Sequence, residues 1–201
     1  MPRTKTIEDD AVLAAAIRVV ARVGPAGLTL AAVGEEAGLS PATLVQRFSS
    51  KRGLLLAVAR RGAEGAGGPL REAARRSRSP LRALATGLVR MSASVASPEV
   101  MANHLAFLQI DLADPEFHAL AHTHATAVRD EIRVLLDAAV AAGELAPTDT
   151  RRLAQSVQNT YNGALITWAI DRRGRLETWL RRELDALLAP RRTAPVPGTA
   201  T

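Results

Sequence analysis

The chain has no cysteine. Disulfides, thiolate-bound metals and a cysteine nucleophile are therefore excluded, and the composition suits a reducing compartment. Aromatic residues are scarce, at 3%. No run of alternating β-branched residues is present that would build a half-buried strand. No apolar stretch approaches the ~20 residues needed to span a bilayer. The opening "MPRTKTIEDD" passes from basic to acidic without an apolar segment, so it does not read as a secretory signal. Also absent are G-x-S-x-G, a P-loop and a dinucleotide fingerprint. The expectation is a soluble, cytoplasmic protein with no membrane partner, no cofactor and no metal.

What is present points to helices. Of the 201 residues, 47% are hydrophobic, enough to bury the core of one or two compact domains. Alanine and leucine, both strong helix formers, are plentiful. The formal net charge is +6. Through residue 62 there are nine Lys or Arg against five Asp or Glu, so most of the excess lies in the first third. Such an imbalance suggests a polyanion as partner.

Residues 7–23 read as an amphipathic helix, with Val12, Ala15, Ala16, Val19 and Val23 at helical spacing and Glu8, Asp9 and Asp10 in its first turn. Gly24 and Pro25 stop it. Thr29 caps a short helix that Gly38 ends, and Ser40-Pro41 opens another to about Phe48. Ser49 or Ser50 caps a fourth helix from Lys51, with a break expected among Gly62, Gly65, Gly67, Gly68 and Pro69. Ser79-Pro80, Ser97-Pro98, Asp114-Pro115 and Thr148 or Asp149 start four more, and a last helix follows Gly174. The fold class is all-α, with about nine helices. The tail from 191 to 201 lacks apolar periodicity and reads as disordered.

Residues 29–48 have the form of a helix-turn-helix. Leu30, Val33 and Ala37 share a face of the first helix, and Leu39, Leu44 and Phe48 bury against it. At 100° per residue, Ala42, Thr43 and Gln46 face the other way. That surface is small, polar and uncharged except for Arg47 at its edge, which suits entry into a major groove. Gln46 can make two hydrogen bonds to an adenine edge, Thr43 can bond a base or phosphate, and Arg47 and Lys51 can neutralise phosphates. Arg3 and Lys5 would form a basic arm.

The run "GLTLAAVGEEAGLSPATLVQRFSSKRGLLLAV" resembles the DNA-binding domain of the tetracycline-repressor-like (TetR) regulators, over residues 7 to about 60. The resemblance implies a helix-turn-helix domain at 1–50, a helical effector-binding and dimerisation domain at 51–190 joined through helix four, and DNA contacts from Arg3, Lys5, Thr29, Ser40, Pro41, Ala42, Thr43, Val45, Gln46, Arg47 and Lys51. This chain departs from the family at three positions. Val45 stands where a tyrosine is usual, Arg47 where a histidine or tyrosine is usual, and Gly34 where alanine is usual.

The resemblance further implies a homodimer on a palindromic operator in double-stranded DNA, with the last two helices pairing across the dimer. Their apolar stripes are Leu153, Val157, Tyr161, Leu165 and Trp168, and Leu176, Leu180, Leu184 and Leu187, with Gly163 allowing close approach. The middle helices would enclose a small, largely apolar effector. Met91, Met101, His104, Phe107, Leu108, Phe117, His124, Tyr161 and Trp168 are the candidate lining, although Met and aromatic residues at helical spacing equally suit a core. His118 and His122, four apart on one helix face, lack a third ligand. The function expected is a ligand-released repressor. An activator, a regulator answering to a protein partner, and a helical ligand-binding protein or enzyme with a vestigial DNA-binding head fit the same sequence.

Overall fold

The structure is a computed structural model that describes residues 3–193, with side chains from Asp9 onward. It comprises ten α-helices and, among the described residues, no strand; a single β-bridge joins Leu145 and Arg192. The helices are α1 (Arg3–Gly27), α2 (Leu30–Ala37), α3 (Pro41–Phe48), α4 (Lys51–Glu64), α5 (Gly68–Arg76), α6 (Pro80–Met91), α7 (Pro98–Ala113), α8 (Pro115–Ala141), α9 (Thr150–Asp171) and α10 (Leu176–Leu188). The fourth helix expected from sequence is thus two helices, α4 and α5, parted within the glycine-rich stretch that contains Gly67 at φ 73°.

The chain divides into two compact units. The first holds α1 to α4, α7 and α8 as far as Ala125; the second holds α5, α6, the rest of α8, α9 and α10. Leu54, Leu55 and Leu56 of α4 belong to the same core as α1 and α3.

In the first unit, α1 is interrupted at Gly24, whose φ of 72° and ψ of 169° are non-helical, as the Gly24-Pro25 signal implied. Helical backbone begins at Arg3, ahead of the expected start. Asp9 and Asp10 therefore lie beyond the first turn and answer to side chains rather than to the helix dipole: Asp9 pairs with Arg47 and Asp10 with Arg61. Val12, Ala15, Ala16 and Val19 are buried as their spacing requires, whereas Val23 is exposed. Leu28, Val33, Leu44, Leu54 and Phe117 complete this core. Each large aliphatic or aromatic side chain so removed from water contributes ~1.5–3 kcal/mol before entropy is counted.

Helix α7 packs on α1, and the Asn103 amide donates to the Ala21 carbonyl at 2.8 Å. Asp114 starts α8 by accepting from the backbone N–H groups of Glu116 and Phe117 at 3.0 and 3.4 Å. The same carboxylate receives the Arg52 guanidinium at 2.8 and 3.0 Å, and Glu116 receives it at 3.0 Å. The Arg52 guanidinium also stands over the Phe117 ring, 5.6 Å from its centroid. Arg52, first and foremost by hydrogen bonding, holds the Asp114 carboxyl below its ordinary range.

In the second unit, α5 packs on α6, and α10 packs on α6 and α9. Leu70, Leu84, Leu88, Ile132, Leu136, Leu145, Val157, Leu180 and Leu184 form its buried apolar interior. The turn from α9 to α10 is closed by the Trp168 indole N–H, which donates to the Gly174 carbonyl at 3.1 Å. Residues 191–193, expected in the disordered tail, are ordered: Ala146 N–H donates to the Arg191 carbonyl at 2.9 Å. Residues 194–201 of that expected tail lie outside the described residues.

Candidate nucleic-acid interface

The α2–α3 corner is set by local chemistry. Thr29 caps α2, its hydroxyl accepting from Ala32 N–H at 3.1 Å. Gly38 ends α2 at φ 70°, in the left-handed region that a side chain would disfavour. Ser40 caps α3, accepting from Thr43 N–H at 3.2 Å while its hydroxyl also meets the Thr43 hydroxyl at 2.9 Å. A Cβ on Gly34 would lie 2.6 Å from the Leu39 carbonyl oxygen. Glycine therefore closes this corner more tightly than the alanine usual in the family would, and the two do not pack alike here.

Helix α3 anchors itself through Leu44, fully buried, and Phe48, packed against the same core. Pro41, Ala42, Val45 and Gln46 are exposed, and Thr43 is half-buried. Val45 is 49% exposed, so it joins the outward surface. Ion pairs tie the corner to α1: Arg18 and Arg22 reach Glu36 at 2.7 and 3.3 Å, and the Arg18 hydrogen bond, followed by that of Arg22, holds the Glu36 carboxyl below its ordinary range.

The cations expected to meet phosphate are differently placed. The Arg47 side chain is only 17% exposed and donates to Asp9 at 3.3 Å. It does not stand open at the rim, because the second turn of α1 supplies a carboxylate beside it. Lys51 donates to the Ala26 carbonyl at 2.7 Å and so secures the end of α1. Arg3 and Lys5 are in α1, but their side chains lie outside the described residues.

The expected effector lining is split between the two units. Met101 and Phe117 are buried in the first unit, with Phe107 edge-on to Phe117 at 6.1 Å between ring centroids. Phe117 belongs to the core shared with α1 to α4, so it serves packing. His104 is half-buried and its burial pushes the imidazole pKa down; Leu108 and His124 are exposed. Asp111, also on α7, is pushed up to about 6 by burial. In the second unit Met91 is half-buried, and Tyr161 and Trp168 are buried, with burial driving the Tyr161 phenol pKa upward. His118 and His122 are exposed, and among the described residues no group of three or more His, Asp or Glu could hold a metal.

Leu153, Val157, Leu165, Leu176, Leu180 and Leu184 are buried within the chain itself, and Leu187 is half-buried. They contribute to the apolar interior of their own unit. The outward face of α9 carries Asn159, Asn162, Gly163, Ile166 and Ile170 instead, with Ile170 73% exposed.

An all-helical chain with this capped corner has the architecture of a helix-turn-helix transcription regulator. Residues 12–58 match the family of bacterial regulatory proteins described as the tetR family. A comparison by sequence with curated proteins finds no match. Among solved structures, a TetR-family transcriptional regulator from Rhodococcus sp. is 24% identical, with 90% of this chain and 96% of that chain covered and a TM-score of 0.69. A TetR transcription regulator from Haloarcula marismortui ATCC 43049 is 16% identical, with 94% and 100% covered and a TM-score of 0.78. The regulator FadR from Bacillus subtilis, in complex with stearoyl-CoA, is 16% identical, with 89% and 97% covered and a TM-score of 0.66. Residues 12–58 thus carry a DNA-binding domain of the tetR family, and the chain as a whole has the all-α fold of solved regulators of that family.

Proposed function

We propose that the chain is a homodimeric repressor released from a palindromic operator by a small, largely apolar ligand. The observation that carries this reading is the outward face of α3. Pro41, Ala42, Val45 and Gln46 form an uncharged, sterically slight surface on a helix whose other side is locked into the core. Gln46 has the geometry to bond an adenine edge, and Val45 offers apolar contact to a thymine methyl. Val45 cannot donate to phosphate as the family's usual tyrosine could, so this position shifts from backbone contact toward base contact. Arg47 would exchange Asp9 for a phosphate on docking, and Thr29, Ser40 and Thr43 present hydroxyls along the same edge.

Dimerisation is assigned to the outer face of α9. A Cβ on Gly163 would meet nothing within 4 Å, so the chain's own packing does not require glycine there. Gly163 with Ile166 and Ile170 would let a second α9 approach closely. For the ligand, α7 offers two half-buried polar anchors: the His104 imidazole, its pKa lowered by burial, and the Asp111 carboxyl, raised to about 6. The FadR complex with stearoyl-CoA illustrates an apolar chain bound in this fold. A ligand engaging α7 and α8 would act on α4 through Arg52, which joins α4 to Asp114 and Glu116. Release is then a population shift set by differential ligand affinity.

The test is binding to upstream DNA containing an inverted repeat. Gln46→Ala should lose ~1–3 kcal/mol of discrimination at one base pair per half-site and leave binding to unrelated DNA nearly unchanged. Equal losses on both DNAs would remove Gln46 from base reading.

A further inference from the structure

Within the second unit, α8 and the first turns of α9 enclose a cleft of about 520 Å³. Arg129 and Arg133 line it from α8, and Arg151 and Arg152 line it from α9, together with Asp130 and Asp149. Some arginines of this unit pair with carboxylates: Arg71 meets Glu131 at 2.7 Å, Arg76 meets Glu72 at 2.7 Å and Arg192 meets Asp185 at 2.6 Å. The cleft is different. Arg129 is oriented by two neutral acceptors, Gln155 Oε1 at 2.5 Å and Thr126 Oγ1 at 3.3 Å. Asp149 is engaged as the cap of α9, accepting from Arg152 N–H at 3.0 Å. Arg151 and Arg152 stand at the positive end of the α9 dipole, where a cation is disfavoured and an anion favoured.

We propose that this cleft binds a diphosphate group, free or carried by a nucleoside. Four arginines against the two carboxylates of Asp130 and Asp149 leave the cleft with an excess of two positive charges. They match an anion with several oxygens spread over two phosphorus centres. The volume falls in the range of nucleotide-sized sites. The site is distinct from α3 and from the α7 ligand region, and it is tested without DNA.

The full-length protein is titrated calorimetrically with inorganic diphosphate, ADP and AMP, against sulfate at matched ionic strength. Diphosphate should bind saturably with one site per chain, and AMP and sulfate at least about tenfold more weakly. Binding of ADP at the diphosphate affinity identifies a site that accepts a nucleoside; failure of ADP assigns it to the free anion. The double variant R133Q/R152Q should weaken diphosphate about tenfold or more, whereas R75Q/R78Q, which removes equal charge from exposed positions of the same unit, should change it less than about twofold. Both variants are checked for an unaltered thermal midpoint without ligand. Absence of saturable diphosphate binding, or equal weakening by the two variants, would overturn the proposal.

Discussion

At the scale of single residues, Arg47 and Asp9 illustrate how tertiary pairing redirects a side chain. The helical angle of Arg47 on α3 is correctly set by spacing, yet its partner lies 38 positions away, on a turn of α1 that the sequence reading left outside its expected pairing. Gln46 was legible because the 3.6-residue period alone decides which side of α3 it occupies, whereas Val45 came into view only through the family resemblance. Asp111 was not legible, since its desolvation depends on packing between helices. Its raised pKa has a thermodynamic consequence. A carboxyl at about 6 when folded, against 3.8 ordinarily, binds more protons in the native state, so its contribution to stability is lost as pH rises from about 4 to about 6. Asp111→Asn should therefore stabilise the protein at pH ~7, by on the order of 1 kcal/mol after allowance for partial exposure, and by nothing near pH ~4. Urea unfolding at the two pH values checks this.

At the scale of elements, the helix starts were readable because capping is local. Thr29, Ser40, Ser50, Ser79, Ser97 and Asp149 each accept a backbone N–H three residues on, as serine, threonine and aspartate ahead of a helix are suited to do. Ser40→Ala should cost about 1 kcal/mol of unfolding free energy and Ser40→Asn much less, measured by denaturant midpoint at constant slope. The apolar stripes of α9 and α10 were harder. Periodicity identifies a buried stripe but not whether it meets its own chain or a second copy. Leu153, Val157 and Leu165 turn inward on α10 and its neighbours, while Ile166 and Ile170 stand outside on the adjacent face. The arginine cleft was also hidden, although the i, i+4 pair Arg129 and Arg133, with the Arg151-Arg152 doublet at a helix start, left a trace in the sequence.

At the scale of the whole molecule, no helix among the described residues is long and apolar enough to cross a membrane, and the positive charge of the first third is largely engaged in ion pairs. In the proposed dimer, affinity for DNA would depend on two reading heads acting together. The paired change Ile166→Glu and Ile170→Glu should shift sedimentation from dimer to monomer and abolish binding to an inverted repeat, leaving secondary structure intact. A dimer that survives both substitutions would place the interface elsewhere. The most direct measurement of the central claim compares binding of the intact protein to native upstream inverted-repeat DNA and to the same DNA with its sequence scrambled, across a salt series. The account expects the native sequence to bind at least ~10³-fold more tightly at physiological salt, with both affinities falling steeply as salt rises. Equal affinity for native and scrambled DNA at every salt concentration would contradict it.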